Sequence, residues 1–300
     1  MNGPCVHSPR TIIPVFSGHD QAGRASFFTM HASVLMLHST ATTADMWAPY
    51  ESTVAPLGVP LRPAHIGYPP DRPLMRGQVV TAADDATAIA RHLAVSGHDA
   101  GTVDIVAHSY GGLVGLTLAP LLGTRLRSLF LFEPTLFASL RPVIDTLDDE
   151  ARATLDAFSN DPQFLRDDQF GGSEAWIERF IDFWNRPGSW QRMPPAQQAV
   201  IRTLGWKMYQ EVRSVNGPDA LEGLGLPHTV PITLVYGSRT PAIARAVIAL
   251  LATRYPHARV ITLEGTGHMA PVTHMEPTRD VLAEHTAYVS RIHALSLRSS

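Results

Sequence analysis

Apolar residues in this chain come in short blocks, separated by stretches with helical spacing. Ser33-Val34-Leu35-Met36-Leu37 is a compact apolar block that stops at His38-Ser39-Thr40 and predicts a buried strand. Over residues 79–95, Ala82, Ala86, Ile89, Ala90 and Leu93 share one helical face, with Asp84, Asp85 and Arg91 elsewhere. Val103-Asp104-Ile105-Val106 predicts a second strand, and residues 111–122 an apolar helix behind it. Further strands are expected at 129–132 and 232–236, a helix at 241–254, a last strand at 260–263 and a closing helix at 277–294. Strands alternating with helices of this length predict a mostly parallel central sheet flanked by helices.

Residues 136–227 break that rhythm. No strand pattern appears there, and Gly171-Gly172-Ser173, Arg186-Pro187-Gly188 and Met193-Pro194-Pro195 divide the segment into several helices. The 300 residues, long enough for two domains, therefore read as one α/β core (1–135 and 228–300) interrupted by a helical cap insertion (136–227). Within the first 30 residues, Thr11-Ile12-Ile13-Pro14-Val15-Phe16 is a possible edge strand, and no signal-peptide pattern is present.

Composition narrows the function classes. Charged residues make up 17% and hydrophobic ones 45%, which suits a large core. The net charge is −3, Lys207 is the only lysine, and no run of like charge occurs, so a nucleic-acid-binding face is not expected. The single cysteine, Cys5, rules out an internal disulfide framework and zinc sites built on paired thiolates. Histidines show no His-Glu-x-x-His spacing, so neither metal nor cofactor is expected. With no stretch of about 18 apolar residues, no membrane span is expected. The reading is a cytoplasmic monomer or homodimer acting on a small molecule.

The candidate chemistry begins at Val106-Ala107-His108-Ser109-Tyr110-Gly111-Gly112, a strand running directly into a helix. Here the chain resembles the α/β-hydrolase superfamily, whose nucleophile sits in a Gly-x-Ser-x-Gly turn so sharp that the flanking positions must be small. Ala107 stands where Gly is usual, and Gly111 is kept. Taken alone, the motif fits an ordinary turn with Ser109 as helix N-cap equally well. A second match is Glu264-Gly265-Thr266-Gly267-His268-Met269, after the last strand and before the last helix, where the superfamily carries its catalytic histidine. His274 lacks that glycine setting and is a weaker candidate.

The same resemblance implies an acid, most often an aspartate after the strand matching 232–236. In this chain that loop, Gly237-Ser238-Arg239-Thr240-Pro241-Ala242, has none. The preceding strand instead ends Leu131-Phe132-Glu133-Pro134, and zearalenone-type lactone hydrolases and certain haloalkane dehalogenases place the acid there. Glu133 is therefore the expected acid, with Glu264 a poorer candidate. The resemblance also implies oxyanion-binding N–H groups at Tyr110, after the nucleophile, and at Thr40, in the loop after the first strand. His65-Ile66-Gly67-Tyr68 resembles a further, structural segment of the family, with His65 where Asp is usual. In all, the likeness spans residues 32–289.

The implied chemistry is attack by Ser109 on a carbonyl, with His268 as base and Glu133 orienting it. A serine at the turn excludes chemistries that need an aspartate nucleophile. The expected function is hydrolysis of a carboxylic ester or lactone, apolar or ring-containing. Trp176, Phe183, Trp184, Trp206 and Met269 are the candidates for lining the pocket, although most cap aromatics should simply pack the cap. Alternatives on the same scaffold are a C–C bond hydrolase, a perhydrolase, or a cofactor-independent lyase or oxygenase. A non-catalytic small-molecule-binding protein is a further alternative.

Overall fold

The computed structural model describes residues 32–159, 161–217, 221–222 and 226–296. Thr11–Phe16 and Cys5 lie outside them. Six strands are present: β1 (Ser33–Leu37), β2 (Val59–Leu61), β3 (Val103–His108), β4 (Leu126–Phe132), β5 (Ile232–Gly237) and β6 (Arg259–Leu263). They form one sheet in the order β2-β1-β3-β4-β5-β6, with every neighbouring pair parallel. Helices connect them: α1 (Glu51–Val54), α2 (Ala82–Val95), α3 (Tyr110–Leu122), α9 (Ala242–Arg254), α10 (Ala270–Thr273) and α11 (Met275–Ser296). Between β4 and β5 lie a 3₁₀ stretch (Phe137–Thr146) and helices α4 (Asp149–Ser159), α5 (Pro162–Arg166), α6 (Glu174–Trp184), α7 (Ser189–Arg192) and α8 (Pro195–Val215).

The period-2 rule sorts the strand side chains onto two faces. Leu35, Leu37, Ile105, Ala107, Leu129, Leu131 and Leu234 pack with α2, α3 and α9. Their alternates Val34, Met36, Val106, Phe130, Phe132 and Val235 pack with Trp47, Tyr50, Val54 and α11. Both faces are covered, which is why the strands read as continuous apolar runs. The edge strand β2 escaped the pattern because it has only three residues, carries Pro60 and is partly exposed. Strand β4 begins three residues before its apolar run. Its polar start is occupied by Ser128, whose hydroxyl donates to the buried Asp104 carboxylate at 2.6 Å. Helix α2 starts at Ala82 because Thr81 and Asp84 form a capping box ahead of it.

The helices between β4 and β5 build their own core around Trp176, Trp190, Trp206, Tyr209, Phe164 and Ile177. One ion pair ties that core to the sheet domain. Lys207 of α8, fully buried, donates from Nζ to Asp85 of α2 at 2.6 Å and lies 3.6 Å from Glu211, one turn further along α8. No described helix is long and apolar enough to cross a membrane.

Removing one partner of a buried ion pair typically costs about 3–5 kcal/mol, because the remaining charge is left unpaired. Lys207→Met should lie near the lower end, since Glu211 can take up a proton. The expected outcome is a loss of about 3 kcal/mol in unfolding free energy, read by urea denaturation. A variant as stable as the parent would show that the pair carries no stability.

Candidate active site

Strand β3 ends at His108 and helix α3 begins at Tyr110, which leaves Ser109 alone to make the turn, with φ 55° and ψ −120°. This is a conformation that L-residues avoid, at a cost on the order of 1–3 kcal/mol. Ser109 N–H donates to the Phe132 carbonyl at 3.0 Å, and its own carbonyl accepts from Thr135 N–H at 3.2 Å, so neighbouring β4 holds the turn. Gly111 is required because a Cβ there would lie 2.5 Å from the Leu37 carbonyl oxygen. The Ser109 side chain makes no capping bond to the helix. Its hydroxyl points instead to His268 Nε2, 2.9 Å away.

His268 lies in the loop after β6. Its Nδ1 is 2.6 Å from Glu133 Oε2, and its main-chain carbonyl is 2.8 Å from His108 Nε2. With Nδ1–H donating to the carboxylate, Nε2 is left to accept the Ser109 proton. Trp184 stacks on the imidazole, with centroids 3.7 Å apart and planes inclined by 23°.

Glu133 follows β4 and has no exposed surface. A buried carboxylate needs donors, and this one has three. Gly237 N–H donates to Oε1 at 2.8 Å, while the Thr240 hydroxyl at 2.5 Å and His268 Nδ1 reach Oε2. Glu264 and His274 are exposed, and His274 bonds to the neighbouring Thr273 hydroxyl at 2.9 Å.

Tyr110 N–H is the first of α3 and has no partner within its helix. Thr40 N–H donates to no backbone carbonyl among the described residues. Thr40 and Ser109 line the same cavities. The side chains of both candidate donors run into the Lys207 cluster. Tyr110 hydroxyl donates to Asp85 at 2.7 Å, and the Thr40 hydroxyl interacts with Glu211. Tyr68 hydroxyl donates to Glu211 at 3.0 Å and accepts from Ala41 N–H at 3.1 Å, which fixes the loop after β1.

His38 and His65 stack beside this cluster with centroids 4.0 Å apart. Burial lowers the His38 pKa to about 4 and drives that of His65 well below its ordinary value, so both rings are neutral at pH 7. His65, Asp85 and Glu211 bring ligand atoms within 4.8 Å of one another, a set chemically able to hold a metal. In this arrangement the Lys207 ammonium supplies the positive charge.

Two cavities meet at Ser109. A chamber of about 250 Å³ is lined by Phe180, Ile181, Trp184, Met193, Ile201 and Met269, together with Thr40, Ser109 and His268. A second cavity of about 20 Å³ lies among Thr135, Phe137, Phe158, Phe164, Val212 and Val215, sharing Thr40, Ser109, Phe180 and Trp184 with the first. Of the expected pocket residues, Trp184 and Met269 line the larger chamber. The other three do not line either cavity. Trp176 is spent on stacking with Phe164 and Phe180, and Trp206 donates to the Gln78 carbonyl at 2.8 Å. Phe183 lines an outer groove beside the site. The helical spacing of Trp176 marks a packed face, and Phe180, one turn from both Trp176 and Trp184, joins Trp184 in lining both cavities.

The Lys207 cluster was missed by motif reading, though two signals pointed to it. Asp85, expected off the apolar face of α2, is instead buried on it between Ala82 and Ile89, where a carboxylate needs a partner. The chain's single lysine stands four residues before Glu211, a spacing that places both on one helical face.

Comparison with known proteins fits this architecture. The alpha/beta hydrolase family model matches residues 34–284. The chain belongs to that family. Among solved structures, it is similar to a thermophilic esterase from Thermogutta terrifontis, with 17% identity and a TM-score of 0.58, covering 86% of this chain and 90% of that one. An esterase from Exiguobacterium antarcticum aligns at 16% identity and a TM-score of 0.60, over 85% of this chain and 92% of its own. The enol-lactonase from Burkholderia xenovorans aligns at 16% identity and a TM-score of 0.60, over 88% and 92%. At these identities the likeness is one of fold. No curated protein matches the sequence.

The cluster has a pH signature. Burial raises the Glu211 pKa from 4.5 to about 7, partly opposed by Lys207. A carboxyl with a raised pKa holds its proton more tightly when folded, so its contribution to stability is lost as pH rises from 4.5 to 7. His38, with its lowered pKa, acts with the opposite sign in the overlapping window of pH 4 to 6.5. Comparison with Glu211→Gln isolates the carboxyl. Between pH 5 and pH 8 the parent should lose about 2 kcal/mol more unfolding free energy than the variant. Parallel pH profiles would contradict a raised Glu211.

Proposed function

We propose that the protein is a serine hydrolase that cleaves carboxylic esters or lactones through an acyl-enzyme on Ser109. The supporting observation is the unbroken relay of Ser109 Oγ to His268 Nε2 at 2.9 Å and His268 Nδ1 to Glu133 at 2.6 Å. In this reading residues 136–227 form a cap over the site, and residues 1–135 with 228–300 form the catalytic domain. The esterase and enol-lactonase among the similar structures lend the reaction class weight.

Ser109 Oγ attacks the carbonyl carbon while its proton passes to His268 Nε2. Glu133 stabilises the resulting imidazolium and keeps Nδ1 protonated. The oxygen, now negative, accepts from the Tyr110 and Thr40 N–H groups; such donors are worth roughly 3 kcal/mol each in acyl transfer. Collapse of the intermediate breaks the bond to the leaving oxygen, which takes the proton from Nε2 and departs as an alcohol. Water then adds to the acyl-enzyme, giving a proton to the same nitrogen; collapse breaks the bond to Ser109 Oγ, which takes that proton back, and the acid is released. The apolar lining of the larger chamber favours a hydrophobic or ring-bearing substrate.

A fluorophosphonate probe should label the parent and leave Ser109→Ala unlabelled, with ester turnover reduced by up to about 10⁶-fold. Labelling that survives the substitution would move the nucleophile elsewhere, and none at all would favour a binding protein. Glu133→Gln should lower kcat by about 10⁴-fold with an unchanged circular-dichroism spectrum. Near-parental turnover would remove Glu133 from the mechanism.

A further inference from the structure

The two cavities at Ser109 differ in size and in their relation to His268, and these differences assign the two halves of a substrate. The carbon of a tetrahedral intermediate on Ser109 carries three other groups. Its oxyanion must face the Thr40 and Tyr110 N–H groups. Its leaving oxygen must lie within hydrogen-bonding reach of His268 Nε2, because that nitrogen protonates it. The acyl substituent takes the remaining direction. Of the two, the larger chamber, of about 250 Å³, includes His268 and Met269 in its wall. The smaller cavity touches Ser109 and Thr40 without reaching the imidazole.

We infer that the substrate is an open-chain ester of a two- or three-carbon acid with a bulky, apolar alcohol. The acyl group occupies the small cavity beside Thr135, and the alcohol fills the chamber beside His268. This assignment rests on the serine-hydrolase reading above and narrows it. At about 20 Å³ against about 250 Å³, the smaller cavity takes the shorter of the two substituents, a methyl or ethyl group. Phe137, Phe158, Phe164, Val212 and Val215 close its walls. Phe158 packs within 6.0 Å, centroid to centroid, of both Phe137 and Phe164, so the aromatic wall is braced from behind. A longer chain could enter only by displacing those rings. A small lactone fits poorly for a topological reason. Its acyl carbon and leaving oxygen belong to one ring, so it cannot send one half into each cavity.

The test keeps the leaving group constant. With p-nitrophenyl acetate, propionate, butyrate, hexanoate and octanoate, kcat/KM should peak at acetate or propionate. It should drop by about tenfold or more for a chain that overfills the cavity, in line with the discrimination one methylene brings in an apolar pocket. Phe158→Ala, and independently the milder Val215→Ala, should move the optimum to butyrate or beyond. Benzyl acetate, whose leaving alcohol is about as basic as that of δ-valerolactone, should be cleaved with a kcat/KM at least about tenfold above that for the lactone. A parental kcat/KM that rises through hexanoate, an unchanged chain-length profile in both variants, or a preference for the lactone overturns the inference. Labelling of Ser109 by a methyl-substituted fluorophosphonate separates the levels of failure. Labelling with any of those results rejects the substrate assignment alone. Absent labelling together with absent ester cleavage rejects the serine-hydrolase reading and this inference with it.

Discussion

An ammonium group sealed from water must be surrounded by counter-charge, and around Lys207 that requirement gathers parts of the chain distant in sequence. Asp85 comes from α2 beside the sheet, Glu211 from the helical segment, and Tyr110 from the first turn after Ser109. Tyr68 and Thr40 reach the same group of charges from two further loops. Each satisfies a polar atom that would otherwise be costly to bury. The helical segment is thus joined to the sheet by a specific electrostatic contact as well as by apolar packing. The first turn of α3 and the loop after β1 are both anchored at this contact through their side chains. A shift of α8 would therefore be felt at the turn and in the loop after β1, although α8 itself contributes no group to the relay.

The carboxylate at the end of β4 illustrates a second balance of costs. Glu133 has a positive φ of 41°, as Ser109 does at 55°, and it carries a charge-bearing group into a fully buried place. Two strained residues cost on the order of 1–3 kcal/mol each. Against this stand hydrogen bonds to the carboxylate from Gly237, Thr240 and His268, of a kind worth about 1.5–3 kcal/mol each. The loop after β5, where the family resemblance leads one to look for an acid, here supplies donors to an acid held by the neighbouring strand. Gly237 also allows the close approach this needs, since a Cβ there would lie 2.4 Å from the Thr266 carbonyl oxygen.

The strands and the main sheet helices were legible in the sequence because each is a long, uniform signal. The central parallel strands are apolar nearly throughout, α2 carries a clear helical face, and α3 is apolar on nearly every side. Ser109, Glu133 and His268 were singled out by the likeness to the α/β-hydrolase family, and each follows a strand of one parallel sheet (β3, β4 and β6), so the three meet at one edge. What could not be read was which aromatic faces the serine. Trp176, Phe180, Phe183 and Trp184 share one helix, and periodicity alone does not tell a face packed on neighbouring helices from one turned to a cavity. The Lys207 cluster was hidden for a related reason. Its members are separated by up to 171 residues in sequence, from Thr40 to Glu211, and only the packing of α8 on α2 unites them.

Helix α6 decides how firmly the imidazole is held. Two hydrogen bonds, from Nδ1 and to Nε2, lie in the ring plane and fix His268 at two points. They leave the ring free to tilt about the line through those nitrogens. Stacking by Trp184 at 3.7 Å opposes that tilt, and His108, centred 4.9 Å away, adds a second contact. Because Phe180 and Trp184 also form walls of both cavities, one helix shapes the space beside Ser109 and restrains the imidazole together. A ligand that fills that space bears on Trp184, the side chain that stacks on the ring. Filling of the cavities and orientation of the imidazole are then physically coupled through one side chain.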